Sequence, residues 1–192
     1  MGLGLSILQS QVAVGDTHAF RQIFDALFSN LTKFSFSFVH SKEAATEIVD
    51  ELFVQLWVKR ADIMKINDLR VYLYTATKNA SLNYITKKAK QIELEPYENL
   101  QVQMTDVVSP EQIMITKEIL QKIKETIDSL PPRCKLIFKF VREDGLSYSE
   151  AAEILGLSIK TIDSQMVIAV ARIRAKLMNV IETSPNKIYF KK

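Results

Sequence analysis

Ser147-Tyr148-Ser149-Glu150-Ala151-Ala152-Glu153-Ile154-Leu155-Gly156-Leu157-Ser158-Ile159-Lys160-Thr161-Ile162 decides the fold class of this chain. Ser147 stands three residues before Glu150, the spacing at which a serine hydroxyl and a glutamate carboxylate reciprocally satisfy the free amides of a helix start. A short helix carrying Ala151, Ala152, Ile154 and Leu155 follows, and Gly156 permits a sharp left-handed stop. Ser158 then caps a second, longer helix running towards Leu177. The two alanines let the helices approach closely, and Leu157 and Ile162 fill the angle between them. This is a helix-turn-helix, with Ser158, Lys160, Thr161, Ser164 and Gln165 at the outward-facing start of the second helix.

Upstream of this motif the pattern stays helical. Leu136, Ile137, Phe140 and Val141 recur at helical spacing after Pro131-Pro132, and Gly145 suits a left-handed end. Ser109-Pro110-Glu111-Gln112 reads as a further helix start, leading to Ile119, Ile123, Ile127 and Leu130. Residues 93–110 hold Glu93, Glu95, Glu98 and Asp106, no lysine or arginine, and no sustained period. They are expected to form a flexible acidic linker.

The N-terminal half carries three more stripes. Asp16 is a plausible N-cap for a helix with Phe20, Ile23, Phe24, Leu27, Phe28 and Leu31 along one face. A second face runs through Ala45, Ile48, Val49, Leu52, Phe53 and Leu56. A third helix starts near Asp68 and places Leu69, Leu73, Ala76 and Ala80 on one side. The expected fold is all-α: two small helical domains joined by a flexible linker, the C-terminal one a helix-turn-helix. The boundaries are an N-terminal extension (1–15), a first domain (16–92), the linker (93–110), a second domain (111–182) and a basic tail (183–192).

Composition narrows the function. The 192 residues carry one cysteine, Cys134, and two histidines, so an intrachain disulfide is excluded and a zinc site is not expected. Cys134 reads as a buried structural thiol. No nucleophile–base pair or phosphate-cradling glycine loop is visible, so the chain is not expected to be an enzyme or to use a cofactor or small-molecule substrate. No apolar run spans a bilayer and the first residues lack a basic signal region. A cytoplasmic location without membrane insertion is therefore expected.

Two faces remain for binding. Glu47, Asp50, Glu51 and Val54 fall on the side of their helix opposite the apolar stripe. Taken alone, such a stripe is commonly a solvated face. Tyr72, Thr75, Asn79 and Asn83 share one side of the next helix, with Lys78, Lys87 and Lys88 nearby. Aromatic and amide groups can stack on or bond to unpaired bases while lysines hold phosphates, although tyrosines at this spacing also serve as core.

Three segments carry a resemblance. Leu130-Pro131-Pro132-Arg133-Cys134-Lys135-Leu136-Ile137-Phe138, with the helix-turn-helix after it, resembles the fourth region of sigma-70 transcription factors. Ala45-Thr46-Glu47-Ile48-Val49-Asp50-Glu51-Leu52-Phe53-Val54-Gln55-Leu56-Trp57 resembles the core-binding helix of their second region. Val71-Tyr72-Leu73-Tyr74-Thr75-Ala76-Thr77-Lys78-Asn79-Ala80-Ser81-Leu82-Asn83-Tyr84 is similar to their promoter-melting helix. All three stand in the family's order, and the presence of two regions only is typical of its extracytoplasmic-function (ECF) group.

The resemblance implies that Glu47, Asp50, Glu51 and Val54 dock on core RNA polymerase. It also implies that Tyr72, Thr75, Lys78, Asn79, Asn83, Lys87 and Lys88, with the loop 61–68, read and melt the minus-ten element. Ser158, Lys160, Thr161, Ser164 and Gln165 would face the minus-thirty-five element, with Arg133, Lys135 and Arg172 on phosphates. Promoter DNA and core polymerase are the implied partners, an anti-sigma factor a further one, and the linker would run through the polymerase's RNA channel. The sequence departs from the family at Glu47, Asp50 and Lys78, where Asp, Gln and Arg are common. It departs again at Met166-Val167-Ile168-Ala169-Val170-Ala171, an apolar run where a basic residue is usual. The alternative reading is a helix-turn-helix activator that binds duplex DNA without being a polymerase subunit. The acidic stripe and the Tyr/Asn helix argue against it.

Overall fold

The structure is a computed structural model that describes residues 2–92, 121 and 123–183. The chain divides into two compact units, Met1–Asn99 and Leu100–Lys192, and no strand occurs among the described residues.

The first unit holds helices α1 (Gly2–Ala13), α2 (Thr17–Val39), α3 (Lys42–Val58) and α4 (Leu69–Ile92), with a 3-10 helix, Arg60–Lys65, between the last two. Asp16 caps α2 as expected, its carboxylate accepting from the His18 and Ala19 amides. Ser41 caps α3 by accepting from the Ala44 amide, and Asp68 caps α4 by accepting from the Val71 amide at 3.0 Å. The core of this unit collects Ile23, Leu27 and Leu31 from α2 and Ala45, Val49 and Phe53 from α3. Phe53 is its aromatic centre, with the rings of Phe20, Phe24 and Phe28 at 6.1, 4.8 and 6.2 Å.

Three expectations change. Residues 1–15, read as an extension, supply α1, whose Val12 is fully buried and which packs on α2 and on the 3-10 helix. The segment 61–68, read as a loop, is largely that 3-10 helix, with Ile63 buried. The buried side of α4 is also rotated from the simple stripe. Leu69 and Leu73 are buried with Val71, Tyr74, Thr77 and Ser81, while Ala76 and Ala80 are half-buried. The Ser35, Thr77 and Ser81 hydroxyls are tolerated there because each of these three has a partner. Thr77 Oγ1 donates to Leu73 O, Ser81 Oγ lies within hydrogen-bond distance of Thr77 O, and the Ser35 and Ser81 hydroxyls meet at 2.9 Å across the α2–α4 seam.

In the second unit residues 123–128 are helical, followed by α5 (Pro132–Arg142), α6 (Tyr148–Leu155) and α7 (Ile159–Thr183). Pro132 opens α5 and Gly145 adopts a φ of +65° after its end. The Ser147–Glu150 capping box forms with both bonds, and Gly156 closes α6 at a φ of +66°. Helices α6 and α7 are bent by 110° at this break, and among the described residues no single helix is long and apolar enough to cross a membrane. Ala151, Ala152, Ile154, Ile162, Met166 and Ala169 are buried, closing the angle, while Leu157 is half-buried. The expected helix start at Ser109, the linker, Ile119 and the basic tail lie outside the described residues.

Because the cap is formed by one hydroxyl and one carboxylate, Ser147→Ala is expected to destabilise the second unit by about 1 kcal/mol, read as a lower urea midpoint at unchanged slope.

Candidate functional site

The acidic face of α3 is built by helical spacing. Ile48, Val49, Phe53 and Leu56 turn inward, which leaves Glu47, Asp50, Glu51 and Val54 exposed on the other side. Val54 is 61% exposed and Val58, one turn on, 69%, so the carboxylates border an apolar strip. None of the three is in an ion pair among the described residues, and Glu51 only accepts a bond from Gln55 Nε2 at 3.2 Å. Three uncompensated carboxylates beside exposed valines form a surface suited to a basic partner that also buries apolar area.

On α4, residues Tyr72, Thr75, Asn79, Asn83 and Lys87 follow one another at steps of three or four and share one side. Tyr72 is 47% exposed, Asn79, Asn83 and Lys87 are exposed, and Thr75 is half-buried. The two tyrosines of this segment divide: Tyr72 faces outward and Tyr74 is buried. Not every nominated cation falls on this face. Lys78 is half-buried to one side of it, and Lys88, exposed, continues the line of Tyr74, Thr77 and Ser81 instead.

In the second unit Ser158, Lys160 and Ser164 are exposed at the start of α7. The Ser158 hydroxyl accepts from the Thr161 amide at 3.0 Å and pairs with the Thr161 hydroxyl at 2.8 Å, so both serve the helix cap. Thr161 and Gln165 are half-buried at the edge of the face. Arg133 and Arg172 are exposed, whereas Lys135 pairs with Asp128 at 2.7 Å, a competitor for any phosphate. That pairing, chiefly the hydrogen bond from Lys135, holds the Asp128 carboxyl below its ordinary range. Cys134 is buried and donates to Gln165 O at 3.3 Å, and burial raises its thiol above the ordinary value, which keeps it protonated and unreactive. Further along α7, Met166 and Ala169 turn inward while Val167, Ile168 and Val170 remain 62%, 40% and 45% exposed.

Models of two segments of one family match this chain: sigma-70 region 2 over residues 23–91 and sigma-70 region 4 over residues 120–173. The chain belongs to the sigma-70 family. Full-length relatives place it in the ECF group. The ECF RNA polymerase sigma-E factor of Escherichia coli K12 is 24% identical over 183 residues, covering 91% of this chain and 95% of its own length. That of Haemophilus influenzae is 25% identical over 177 residues, covering 88% and 93%. Two solved structures share the fold at 21% identity. One is CnrH in complex with the cytosolic domain of CnrY, with a TM-score of 0.53 over 94% of this chain and 99% of that one. The other is the sigma factor RpoE in complex with the anti-sigma factor NepR from Bartonella quintana, with a TM-score of 0.56 over 83% and 96%.

Sequence reasoning missed parts of this sigma-70 chain that adjoin its candidate surfaces. Arg60 lies over the Trp57 ring at 4.9 Å and donates through Nη1 to Trp57 O, bracing the end of α3. Asp163 is exposed on the same side of α7 as Lys160 and Ser164, adding a negative charge to the face expected to meet DNA. Gln9 of α1 is buried, and the signal for it was present in Leu5, Leu8 and Val12, an apolar stripe that brackets a polar residue.

Proposed function

We propose that the chain is an RNA polymerase sigma factor: a subunit that docks on core polymerase through the acidic face of α3, melts and reads the minus-ten element with α4 and the segment before it, and reads the minus-thirty-five element with α7. The observation that carries this reading is the joint exposure of two unlike faces on adjacent helices of one unit. Glu47, Asp50, Glu51 and Val54 on α3 have the chemistry of a protein contact, and Tyr72, Asn79 and Asn83 on α4 that of a contact with unpaired bases. Free duplex DNA offers nothing to Tyr72, because bases in a stacked helix present no face to it. That distinction favours a polymerase subunit over a duplex-binding activator. Catalysis rests with the polymerase, and the chain supplies specificity.

Run-off transcription tests the reading. The chain with core polymerase is expected to yield a defined transcript from its cognate promoter, and neither component alone does. Tight sequence-specific binding to that duplex by the chain alone, with no gain in transcription, would support the activator reading instead.

The apolar stretch on α7 predicts a particular salt response. Ile168 occupies an exposed position where a cation would reach a phosphate. Ile168→Arg is expected to tighten promoter-duplex binding and to steepen the plot of log affinity against log salt by about one unit. Filter binding across a salt series measures both. An anti-sigma factor is proposed as a further partner, and the exposed Val167, Ile168 and Val170 offer it apolar area.

A further inference from the structure

Between the 3-10 helix and α4 the chain must turn from Ile63 to Asp68, and the side chains it leaves outermost include Met64 and Asn67, with Tyr72 one turn into α4. Such a segment is precise only if its backbone is held. Gln9, from α1, is 6% exposed and does the holding. Its carboxamide nitrogen donates to Ile63 O at 2.5 Å and to Ile66 O at 2.7 Å. An NH₂ group has two hydrogens, so one side chain uses its full donor capacity to pin two carbonyls three residues apart. The same α1 reaches the other end of the 3-10 helix: the turn at Gly15, with a φ of +93°, lies beside Arg60, whose Nε would meet a Cβ at Gly15 at 3.8 Å. Helix α1 also packs on the 3-10 helix, and Val12 of the one and Ile63 of the other are both buried, so the segment is held by packing as well as by hydrogen bonds.

We propose that Gln9 is a positioning residue for reading the minus-ten element: α1, through this amide, fixes the backbone that sets where Asn67 and Tyr72 meet unpaired bases. This rests on the assignment of α4 and its preceding segment to that element. An apolar residue of equal length would fill the same space, yet it would leave Ile63 O and Ile66 O without their donors, and the segment would sample other conformations. The expected consequence is a loss of base discrimination rather than of the fold or of polymerase docking.

The test uses holoenzyme made from core polymerase and the full chain. A bubble-template pool, randomised at the non-template minus-ten positions, is selected for binding. Wild type is expected to enrich defined bases. Gln9→Met, of similar length and without donors, is expected to lower that enrichment about fivefold or more while changing core affinity by less than about twofold. Faster hydrogen exchange at the amides of residues 62–66, with α2 and α3 unchanged, accompanies it. Unchanged enrichment in a folded Gln9→Met protein overturns the proposal. A wild-type pool without any preference overturns the minus-ten assignment itself, and the role of Gln9 falls with it. Should Gln9→Met fail to fold, Gln9→Asn keeps the amide but shortens its reach. It is expected to lose part of the enrichment, and wild-type enrichment there overturns the proposal.

Discussion

Reversing Glu47 and Glu51 to lysine is expected to abolish association with core RNA polymerase while both helical units stay folded. The two side chains stand one turn apart on α3, exposed, with Asp50 and Val54 between and beside them. Among the described residues neither is in an ion pair, and Glu51 accepts an exposed side-chain bond from Gln55. Removing the carboxylates therefore leaves no buried group unsatisfied, and the fold has little reason to respond. A basic partner surface, by contrast, exchanges two attractions for two repulsions. Like charges brought together at an interface cost enough to weaken binding by at least about a hundredfold. Titration of labelled chain with core polymerase measures the loss, and far-ultraviolet circular dichroism checks the fold. Asp25→Lys, a single reversal on the exposed side of α2, is the control for added charge away from α3 and should leave affinity nearly unchanged. Wild-type affinity in the double reversal would remove the acidic face of α3 from the docking site.

The second large effect is on stability. Phe53 is 2% exposed and packs among the rings of Phe20, Phe24 and Phe28, joining α3 to α2. Phe53→Ala removes a buried ring packed between α3 and α2, a site that collapses only in part. The expected loss is about 4 kcal/mol, close to the whole stability of a unit this size. Trp57 is the chain's single tryptophan and lies 5.0 Å from Phe20, so its fluorescence in a urea titration reports on the first unit. The variant should have a much lower midpoint, or no folded baseline. Promoter activity should fall with the folded fraction, because α3 and α4 lose their common support. A midpoint shift below about 1 kcal/mol equivalent would show that this aromatic cluster is peripheral.

Most of the architecture was legible because it is local. The capping box at Ser147, the glycine turn at Gly156 and the apolar stripes of α2 and α3 are written within one or two helical turns, and each forms as read. The acidic face was legible for the same reason: once Ile48, Val49 and Phe53 turn inward, Glu47, Asp50 and Glu51 have one place to go. What escaped depends on tertiary partners. The hydroxyls of Ser35, Thr77 and Ser81 look like surface residues until the α2–α4 seam buries them, with Ser35 meeting Ser81 across it while Thr77 and Ser81 bond back to carbonyls of their own helix. The role of Gln9 needs two carbonyls more than fifty positions away in the chain. On α7, helical spacing alone did not distinguish Ser158 and Thr161, which are occupied in capping, from Lys160 and Ser164, which stay on the open face. Lys135 looked available to phosphate until the turn before α5 brought Asp128 beside it.

Titrating the wild-type chain into core polymerase at rising ionic strength interrogates the account most directly. A surface carrying unpaired carboxylates beside exposed valines should give saturable one-to-one binding that weakens with salt yet persists once screening is complete. No association at any ionic strength would contradict it.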